Sequence, residues 1–345
     1  MPKLLIKALL FLSPYLALTT VSLCLPLNFF TFRCWEALNV FQQNSILSGP
    51  FYPYQKMAML EEGDLGHGTP YAVKKSVFWE TDRYGYRTAP SDSAPDIVIV
   101  GDSFAVGSGL SQSEILSELV AKKTGRTVYP YAPRDLNGFL GEARFQAAPP
   151  TVVIFEQAER SIAAIPKLVP AKGPAPVGAK TRPVLRQAAI LMDATKRLTS
   201  IKWLCARIAN PTVGYRYGGM FFLDKDSTDV DFNRPAVRRA VDSIIGYHEY
   251  FRNRGIKFLF LPVPNKETVY SDFLPSKRPS TFLRRVEKEL QDHGVAVLDL
   301  LGPYSKCKEN GSLPYHADDT HWNRIGVTIA ADLIARSLGG SIDVK

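Results

Sequence analysis

The sequence predicts an α/β fold in which helices cover both faces of a parallel sheet. From residue 96 onward, short apolar runs of strand length alternate with longer segments of helical spacing. The predicted strands cover residues 96–100, 127–132, 151–156, 257–263 and 295–299. The predicted helices cover residues 111–123, 135–147, 235–254, 280–293 and 324–338. Such alternation is typical of crossover connections, and sheets built this way bind ligands at the carboxyl ends of their strands.

The length and charge of the chain limit the classes of function. The chain has 345 residues, enough for one sizeable α/β domain with additions, and a formal net charge of +9. All of this excess lies in residues 165–216, where ten Lys or Arg residues accompany a single acid, Asp193. No nucleic-acid module and no interleaved aromatic residues accompany this basic segment, so we predict no nucleic-acid partner. Three interpretations of this basic segment remain: it binds an anionic polymer, it binds a surface of lipid headgroups, or it forms a solvated face without a partner.

The N-terminal sequence predicts a membrane anchor. Residues 8–30 are uncharged and mostly apolar, a run of 23 residues that as a helix could cross a hydrocarbon core of roughly 30 Å. Lys3 and Lys7 precede this run, which predicts a cytoplasmic N-terminus and a periplasmic remainder, with one pass through the inner membrane. No small-residue cleavage site follows, so we predict an uncleaved anchor over residues 1–35, with a cleaved signal peptide as the alternative.

Two further segments interrupt the regular pattern. Residues 36–95, rich in aromatic residues, Gly and Pro, predict an irregular N-terminal extension, and residues 96–345 form the predicted α/β domain. A basic insertion at about residues 161–234 breaks this domain, first as a Pro-rich stretch and then as a helix predicted at about 184–208. The apolar stripe of that helix fits either a lid packed on the core or a helix lying on a membrane surface. Its members are Leu191, Ala194, Leu198, Ile201, Cys205 and Ile208.

The stretch DIVIVGDSFAVGSGL, residues 96–110, contains a candidate nucleophile. Ser103 directly follows a predicted buried strand and begins the next helix, which places its hydroxyl at the ligand-binding edge of the sheet. Its own backbone N–H is then available to an anion, as oxyanion stabilisation requires. No Gly-Lys-Ser/Thr follows to form a P-loop, and Ala105 breaks the Gly-x-Ser-x-Gly elbow. A nucleophile and a plain structural turn therefore remain as alternatives.

The stretch HADDTHWNRIG, residues 316–326, supplies a candidate base for that serine. A serine nucleophile needs a histidine to take its proton, and the histidine needs a carboxylate to orient it. His321 follows Asp318 and Asp319 and leads directly into the final predicted helix. We predict a triad of Ser103, His321 and Asp318, with Asp319 as the alternate acid. His316 shares the same aspartates, but the cluster fits no common metal motif, so we predict no metal and no cofactor.

Together these motifs resemble the SGNH (GDSL-like) hydrolase superfamily. Gly101-Asp102-Ser103-Phe104 and the Asp-x-x-His before the final helix carry the resemblance, which extends from about residue 81 to 338. It implies a flavodoxin-like three-layer α/β/α sandwich. Further motifs resemble the SGNH-like branch of alginate and cell-wall polysaccharide O-acetyltransferases: residues 319–323 (DTHWN), 159–160 (ER) and 264–270 (PNKETVY). The alginate enzymes place Asp-x-His ahead of the serine, whereas here the serine comes first.

The resemblance also implies roles for residues around the triad. The backbone amides of Ser103 and Gly138 would form the oxyanion hole. The superfamily's Gly-x-Asn-Asp block should follow the third strand, but residues 155–160 read FEQAER. Either Gln157 or Arg160 replaces the missing Asn, or the site is slow or inactive. The candidates for contacting substrate are Trp322, Asn323, Arg160 and Lys266.

The function implied by the resemblance is O-acetylation of hydroxyls on a surface or exported polysaccharide by a membrane-anchored, exported enzyme. The implied partners are the polysaccharide substrate and a polytopic membrane-bound O-acyltransferase that delivers the acyl group. One alternative is a carbohydrate esterase that uses the same triad. Another, favoured by the missing Asn, is a non-catalytic polysaccharide-binding or scaffold component of an export complex.

Overall fold

The computed structural model describes residues 2–29, 31–90, 93–169, 183–195, 214–225 and 230–339. In chain order, the strands are β1 (Lys56–Glu61), β2 (Lys75–Glu80), β3 (Ile97–Val100), β4 (Val128–Tyr131), β5 (Val152–Ala158), β6 (Tyr215–Tyr217), β7 (Met220–Phe222), β8 (Lys257–Val263) and β9 (Ala296–Val297). The helices are α1 (Pro2–Cys24), α2 (Cys34–Leu38), α3 (Ser103–Val106), α4 (Leu116–Thr124), α5 (Leu136–Gly141), α6 (Ala143–Ala147), α7 (Pro183–Ala194), α8 (Pro235–Arg252), α9 (Lys266–Val269), α10 (Phe282–Asp292), α11 (Leu301–Glu309) and α12 (Arg324–Ser337).

The central sheet confirms the predicted α/β fold. Its five strands run in the order β4-β3-β5-β8-β9, and every neighbouring pair is parallel. Counted among themselves, these strands have the order 2-1-3-4-5 of doubly wound, flavodoxin-like sheets. The chain reverses its direction of travel across the sheet between β3 and β5, so the switch point lies beside the carboxyl end of β3. This is the edge at which Ser103 begins α3.

The helices fall into two packing groups. Helix α12 packs against α4, whereas α8 packs against α10 and β8. Phe139 of α5 lies 6.0 Å, centroid to centroid, from Phe251 of α8, which joins α5 to the second group. Because parallel crossovers are right-handed, connections that travel in opposite directions across the sheet leave their helices on opposite faces. The strands between them are therefore buried on both faces, and all four residues of β3 are buried.

Helix α1 covers part of the apolar run from which the membrane anchor is predicted. The uncharged run of residues 8–30 does not form one helix, because α1 ends at Cys24 and a turn follows. Nowhere in the described ranges does a helix combine the length and the apolar character needed to cross a membrane.

The N-terminal extension is more regular than the sequence predicts. It contains α2 and the antiparallel pair β1-β2, whose register runs from Lys56 opposite Glu80 to Glu61 opposite Lys75. Trp79 of β2 is fully buried and packs edge-to-face against Phe51. The missed strands have a physical reason, since a two-stranded sheet is stable only when it packs on something else, and that support is not visible in a local pattern.

The basic insertion is described in part. Helix α7 confirms the first half of the helix predicted at 184–208, and the remainder of that prediction lies outside the described residues. Asp193 of α7 accepts hydrogen bonds from the Tyr52 hydroxyl (3.0 Å) and the backbone N–H groups of Phe41 (2.8 Å) and Gln42 (3.0 Å). The insertion therefore docks on the N-terminal extension through the only acidic residue of its basic segment. The hairpin of β6 and β7, at its far end, was not predicted from the sequence.

Candidate active site

Ser103 lies at the carboxyl edge of the sheet because Asp102 ties the ends of two neighbouring strands together. One carboxylate oxygen of Asp102 accepts a hydrogen bond from the backbone N–H of Phe104 (2.9 Å) and thereby caps α3. The other accepts from the backbone N–H of Ala158 (3.1 Å) and from the side-chain amide of Gln157 (3.3 Å) at the end of β5. The motif's aspartate thus holds the turn that carries the serine.

A buried acid, Glu156, lies beneath the same turn. Its Oε2 accepts hydrogen bonds from the backbone N–H groups of Asp102 (3.0 Å) and Ala105 (3.1 Å). Burial and the neighbouring Asp102 carboxylate raise the pKa of Glu156 well above its usual range. A Cβ at position 101 would overlap Glu156 and lie 2.8 Å from the Ala105 Cβ, so only glycine fits there. The sequence signal for Glu156 is an acid inside an otherwise apolar strand.

Ser103, His321 and Asp319 form a continuous hydrogen-bonded chain. The Ser103 Oγ donates to Nε2 of His321 at 2.8 Å, and Nδ1 of His321 lies 2.6 Å from Oδ1 of Asp319. The same Asp319 oxygen accepts the backbone N–H of His321 at 3.0 Å. Because a carboxylate faces Nδ1, the ring proton belongs on Nδ1 and Nε2 is left to accept. This is the arrangement in which a histidine can take a proton from a serine hydroxyl.

The surroundings of Asp319 keep its carboxylate ionised. Its side chain is fully buried, which alone opposes ionisation. The charge interaction and the hydrogen bond with His321, followed by the cations of Lys75, 3.9 Å away, and Arg33, outweigh this burial and hold the pKa of Asp319 well below its usual range. An ionised Asp319 is what a histidine needs to remain in the correct tautomer and to carry a positive charge during turnover.

Asp318, the first choice for the triad acid, does not contact His321 in the described structure. Its Oδ2 accepts the backbone N–H groups of Gly63 and Val73, each at 2.8 Å, and its Oδ1 lies 3.3 Å from the Lys75 Nζ. All three donors come from the N-terminal extension. The structure therefore brings the alternate acid, Asp319, to the histidine and uses Asp318 to fasten the extension to this loop.

The predicted oxyanion donors differ in availability. The backbone N–H of Ser103 has no acceptor among the described residues. Gly138 is not available, because its N–H donates at 2.7 Å to the carboxylate of Asp135, which caps α5. Gln157 is engaged with Asp102, as described above. Arg160 is exposed, its guanidinium carbon lies 5.5 Å from the Phe104 ring centroid, and it forms no ion pair with a described residue.

Three of the residues predicted to contact substrate make contacts within the protein instead. Two of them, Trp322 and Asn323, directly follow His321 in the chain. Trp322 is fully buried and packs edge-to-face on Phe104 at 5.3 Å, so it does not line a groove. The Asn323 side-chain oxygen caps α12 by accepting the N–H groups of Ile325 (2.8 Å) and Gly326 (3.2 Å). Its amide donates to two backbone carbonyls that precede it in the chain. Both residues fix the loop rather than the substrate.

Lys266, the third of these residues, is buried beneath the loop that carries His321. It is 2% exposed, and its Nζ donates to the backbone carbonyls of His316 (2.6 Å), Ala317 (3.1 Å) and Asp319 (3.0 Å). Burial lowers the pKa of Lys266 to about 8. An ammonium with three carbonyl acceptors is satisfied internally, so Lys266 holds the loop and does not reach substrate.

A second buried cation, Arg87, holds the loop that follows Ser103. Its guanidinium donates to the backbone carbonyls of Val106 (3.1 Å), Gly107 (2.6 Å) and Leu110 (2.6 Å). Arg87 is 1% exposed and stacks 4.0 Å from the Trp79 ring centroid. Arg87 could not be singled out from the sequence, where its only local signal is an arginine within an aromatic-rich segment.

His316 and a third carboxylate complete the surroundings of the site. Burial, together with the nearby Lys75, lowers the pKa of His316 to about 3, so this ring is neutral. Oxygens of Asp64 and Asp319 and a nitrogen of His321 lie within 4.8 Å of one another, a spacing that could hold a metal ion. However, Arg33 lies 3.8 Å from Asp64 and Lys75 lies 3.9 Å from Asp319, so cations of the protein already offset this charge. The donor set is therefore better suited to a hydrogen-bonded triad than to a cation.

Comparisons with known proteins agree with the motifs. Residues 218–343 match the family model for the SGNH hydrolase-like domain of the acetyltransferase AlgX. Two proteins described as probable alginate O-acetylase AlgJ are similar: that of Pseudomonas putida is 25% identical over 99 residues, and that of Pseudomonas fluorescens 26% over 121 residues. These alignments cover 28% and 32% of this chain, but only 26% and 30% of the two relatives.

Among solved structures, the O-acetyltransferase domain of Pseudomonas putida AlgJ aligns with a TM-score of 0.31 and 21% identity, over 36% of this chain and 48% of that one. A lipase/acylhydrolase from Enterococcus faecalis aligns with a TM-score of 0.36 and 14% identity, over 71% and 95% of the two chains. The match to the family model and the two relatives confirm that this chain resembles the SGNH-like O-acetyltransferases, as its serine and histidine motifs predict.

Proposed function

We propose that this protein is an SGNH-like acyltransferase that O-acetylates hydroxyls of a polysaccharide through a covalent acyl-serine. The observation that carries the proposal is the hydrogen-bonded chain from Ser103 through His321 to Asp319. The similarity to AlgJ and AlgX supports acetyl transfer as the reaction, and an alginate-like glycan as the kind of acceptor. Asp319, rather than Asp318, is the acid of the proposed triad.

In the first half of the reaction, the Ser103 Oγ attacks the carbonyl carbon of the acyl donor while its proton passes to Nε2 of His321. The carbonyl oxygen becomes an oxyanion, which the N–H of Ser103 stabilises. Arg160, exposed above Phe104, is the candidate for the second donor in place of the missing Asn. As the intermediate collapses, the proton on His321 passes to the leaving group, and the acetyl ester remains on Ser103.

In the second half, a sugar hydroxyl gives its proton to Nε2 of His321 and attacks the carbonyl carbon of the acetyl-serine. As this intermediate collapses, the bond to the Ser103 Oγ breaks and His321 returns the proton to that oxygen, which leaves the sugar ester and free Ser103. Water in place of the sugar would make the protein an esterase, and both reactions use the same residues. Asp319 stabilises the imidazolium in each half. We also propose that a polytopic membrane-bound O-acyltransferase supplies the acetyl group, as the resemblance implies.

We further propose that the catalytic domain acts outside the cytoplasm. The apolar N-terminal segment preceded by Lys3 and Lys7 supports export of the remainder. Fusion of alkaline phosphatase, which is active only after export, to the C-terminus tests this. High phosphatase activity in intact cells is expected, whereas activity confined to a cytoplasmic reporter at the same position would contradict the proposal.

The function is tested by incubating the protein with an activated acetyl ester. We expect a burst of one leaving group per protein molecule and a mass gain of one acetyl group on Ser103, both absent in Ser103→Ala. Addition of candidate polysaccharides then shows whether acetate leaves as a sugar ester or as free acid, which separates transferase from esterase. No burst and no adduct, with Ser103→Ala and the unmodified protein indistinguishable, would overturn the enzymatic proposal and favour a binding role.

A further inference from the structure

We propose that Asp64, which the N-terminal extension brings to the base, is a positioning residue for His321. It holds the turn of Asp319, Thr320 and His321 and places a second carboxylate beside the imidazole. The proposal rests on the function proposed above, because it assigns a role in the same acyl transfer. It also gives the extension a part in the reaction.

Asp64 accepts two hydrogen bonds from Thr320, the residue between Asp319 and His321. Its Oδ1 accepts the backbone N–H of Thr320 at 2.8 Å, and its Oδ2 accepts the Thr320 hydroxyl at 2.7 Å. In addition, the backbone N–H of Asp64 donates to Oδ2 of Asp319 at 3.2 Å. One residue of the extension thus fixes both the acid of the triad and the peptide that leads to the base. Rotation of this turn would break all three hydrogen bonds together.

Asp64 also brings a second carboxyl group to the base. Burial and the neighbouring Asp319 raise the pKa of Asp64, whereas His321 and Arg33 oppose that rise. The Oδ2 of Asp64 lies 3.7 Å from Nδ1 of His321, whereas Asp319 contacts the same nitrogen at 2.6 Å. When His321 accepts the serine proton, the resulting imidazolium is attracted by both carboxylates. The other charged or titratable groups around these residues are Arg33, Lys75, His316, Lys266 and Asp318. Arg33, at 3.8 Å, offsets part of the charge of Asp64.

The loop that carries Asp64 is fastened to the catalytic loop on either side of this contact. The N–H groups of Leu65 (3.1 Å) and Gly66 (2.9 Å) donate to the carbonyl oxygen of Asp318, and Gly63 donates to the Asp318 side chain. A Cβ on Gly63 would overlap the Asp318 backbone, so only glycine allows this approach. The position of Asp64 is therefore set by backbone contacts and not by its own side chain alone.

The test compares Asp64→Asn with Glu62→Gln in the full chain. Both variants change a carboxylate of the same loop to an amide, but Glu62 pairs with His67 and does not contact the triad. For Asp64→Asn we expect kcat on an activated acetyl ester to fall about 10- to 100-fold with KM nearly unchanged. The acid limb of kcat/KM should move to lower pH by about half a unit or more, because a negative charge beside the base is lost. Asp64→Glu, which keeps the charge, should restore the limb, and Glu62→Gln should match the unmodified protein.

A purely structural role predicts a different result. Asp64→Asn would then melt at a lower temperature and lose activity only through its unfolded fraction, with the acid limb unchanged, and this would overturn the proposal. If the unmodified protein and Ser103→Ala are equally inactive, the proposed function fails instead. In that case NMR titration of the His321 ring still decides the inference: its midpoint must move to lower pH in Asp64→Asn and must stay in place in Glu62→Gln, and an unmoved midpoint contradicts the role of Asp64.

Discussion

Replacing Asp319 or Asp318 by asparagine should produce two different defects. The first substitution should reduce turnover, and the second should reduce the stability of the fold. In Asp319→Asn, an amide of the same size replaces the carboxylate that faces Nδ1 of His321. If the asparagine oxygen faces His321, its NH2 group meets the N–H of Asp64 and the ammonium of Lys75, which are donors as well. If it turns, the NH2 group meets Nδ1 and forces the ring proton onto Nε2, where it blocks proton transfer from Ser103. Either orientation impairs the base, so we expect kcat to fall about 10³- to 10⁴-fold, equivalent to about 4–5.5 kcal/mol.

Asp318→Asn should instead reduce stability. Both backbone donors, Gly63 and Val73, bond to the same oxygen of Asp318, so an asparagine can keep these hydrogen bonds while it loses their charge assistance. It also leaves Lys75 without its nearest carboxylate. At about 1 kcal/mol for each weakened bond and a similar cost for the lysine, the loss is about 2–4 kcal/mol. For a domain of this size, the melting temperature should fall by about 4–8 °C.

Active-site titration and thermal unfolding separate the two outcomes. The burst with an activated acetyl ester counts competent sites, so turnover per site can be compared at a temperature where all variants are folded. We expect Asp318→Asn to stay within about threefold of the unmodified protein by this measure, since the Ser103 to Asp319 chain is intact. A folded Asp318→Asn as inactive as Asp319→Asn, or an Asp319→Asn within tenfold of the unmodified protein, would refute the assignment of Asp319.

Two further predictions concern buried ionisable groups. Lys266→Met removes three hydrogen bonds to the loop before His321, so kcat should fall about tenfold or more with KM nearly unchanged. Because the pKa of Lys266 is about 8, the unmodified protein should lose activity above about pH 8, and a pH series showing the same decline in Lys266→Met would contradict this role. Burial raises the pKa of Glu159 from 4.5 to about 7, so its protonated form stabilises the fold below pH 4.5 and this stabilisation is lost as the pH rises through 7. Glu159→Gln should therefore reduce the difference in melting temperature between pH 5 and pH 8, and an unchanged difference would show that another group is responsible.

The sheet could be predicted because its strands are short apolar runs separated by amphipathic helices. Each of the predicted strands is present, although β9 covers only residues 296–297. The β1-β2 pair and the β6-β7 hairpin could not be predicted in the same way, because their stability comes from contacts far along the chain. The β7 residue Phe221, for example, donates its N–H to the carbonyl of Ala317 at 2.7 Å.

The pairing of Ser103 with His321 could also be predicted from the sequence. Each lies where a strand or loop meets a helix at the carboxyl edge of a parallel sheet, and the topology brings such positions together. The choice between Asp318 and Asp319 could not be made, because it depends on which side of the loop faces the N-terminal extension. Asp64 was missed for the same reason, since its partner Thr320 lies more than 250 residues away in the chain.

The structural contacts of Trp322, Asn323 and Lys266 have a common physical cause. A catalytic loop at a sheet edge has no ladder of backbone hydrogen bonds, so where it is buried its carbonyl and N–H groups need side-chain partners. Lys266 supplies three of these bonds, and Asn323 supplies both donors and acceptors. A polar residue beside such a motif either hydrogen-bonds to the backbone of the loop or remains available to the substrate. Its hydrogen-bond partners in the structure show which of the two applies. By that criterion Arg160, exposed and without an ion pair to any described residue, is the one predicted substrate contact still available to a ligand.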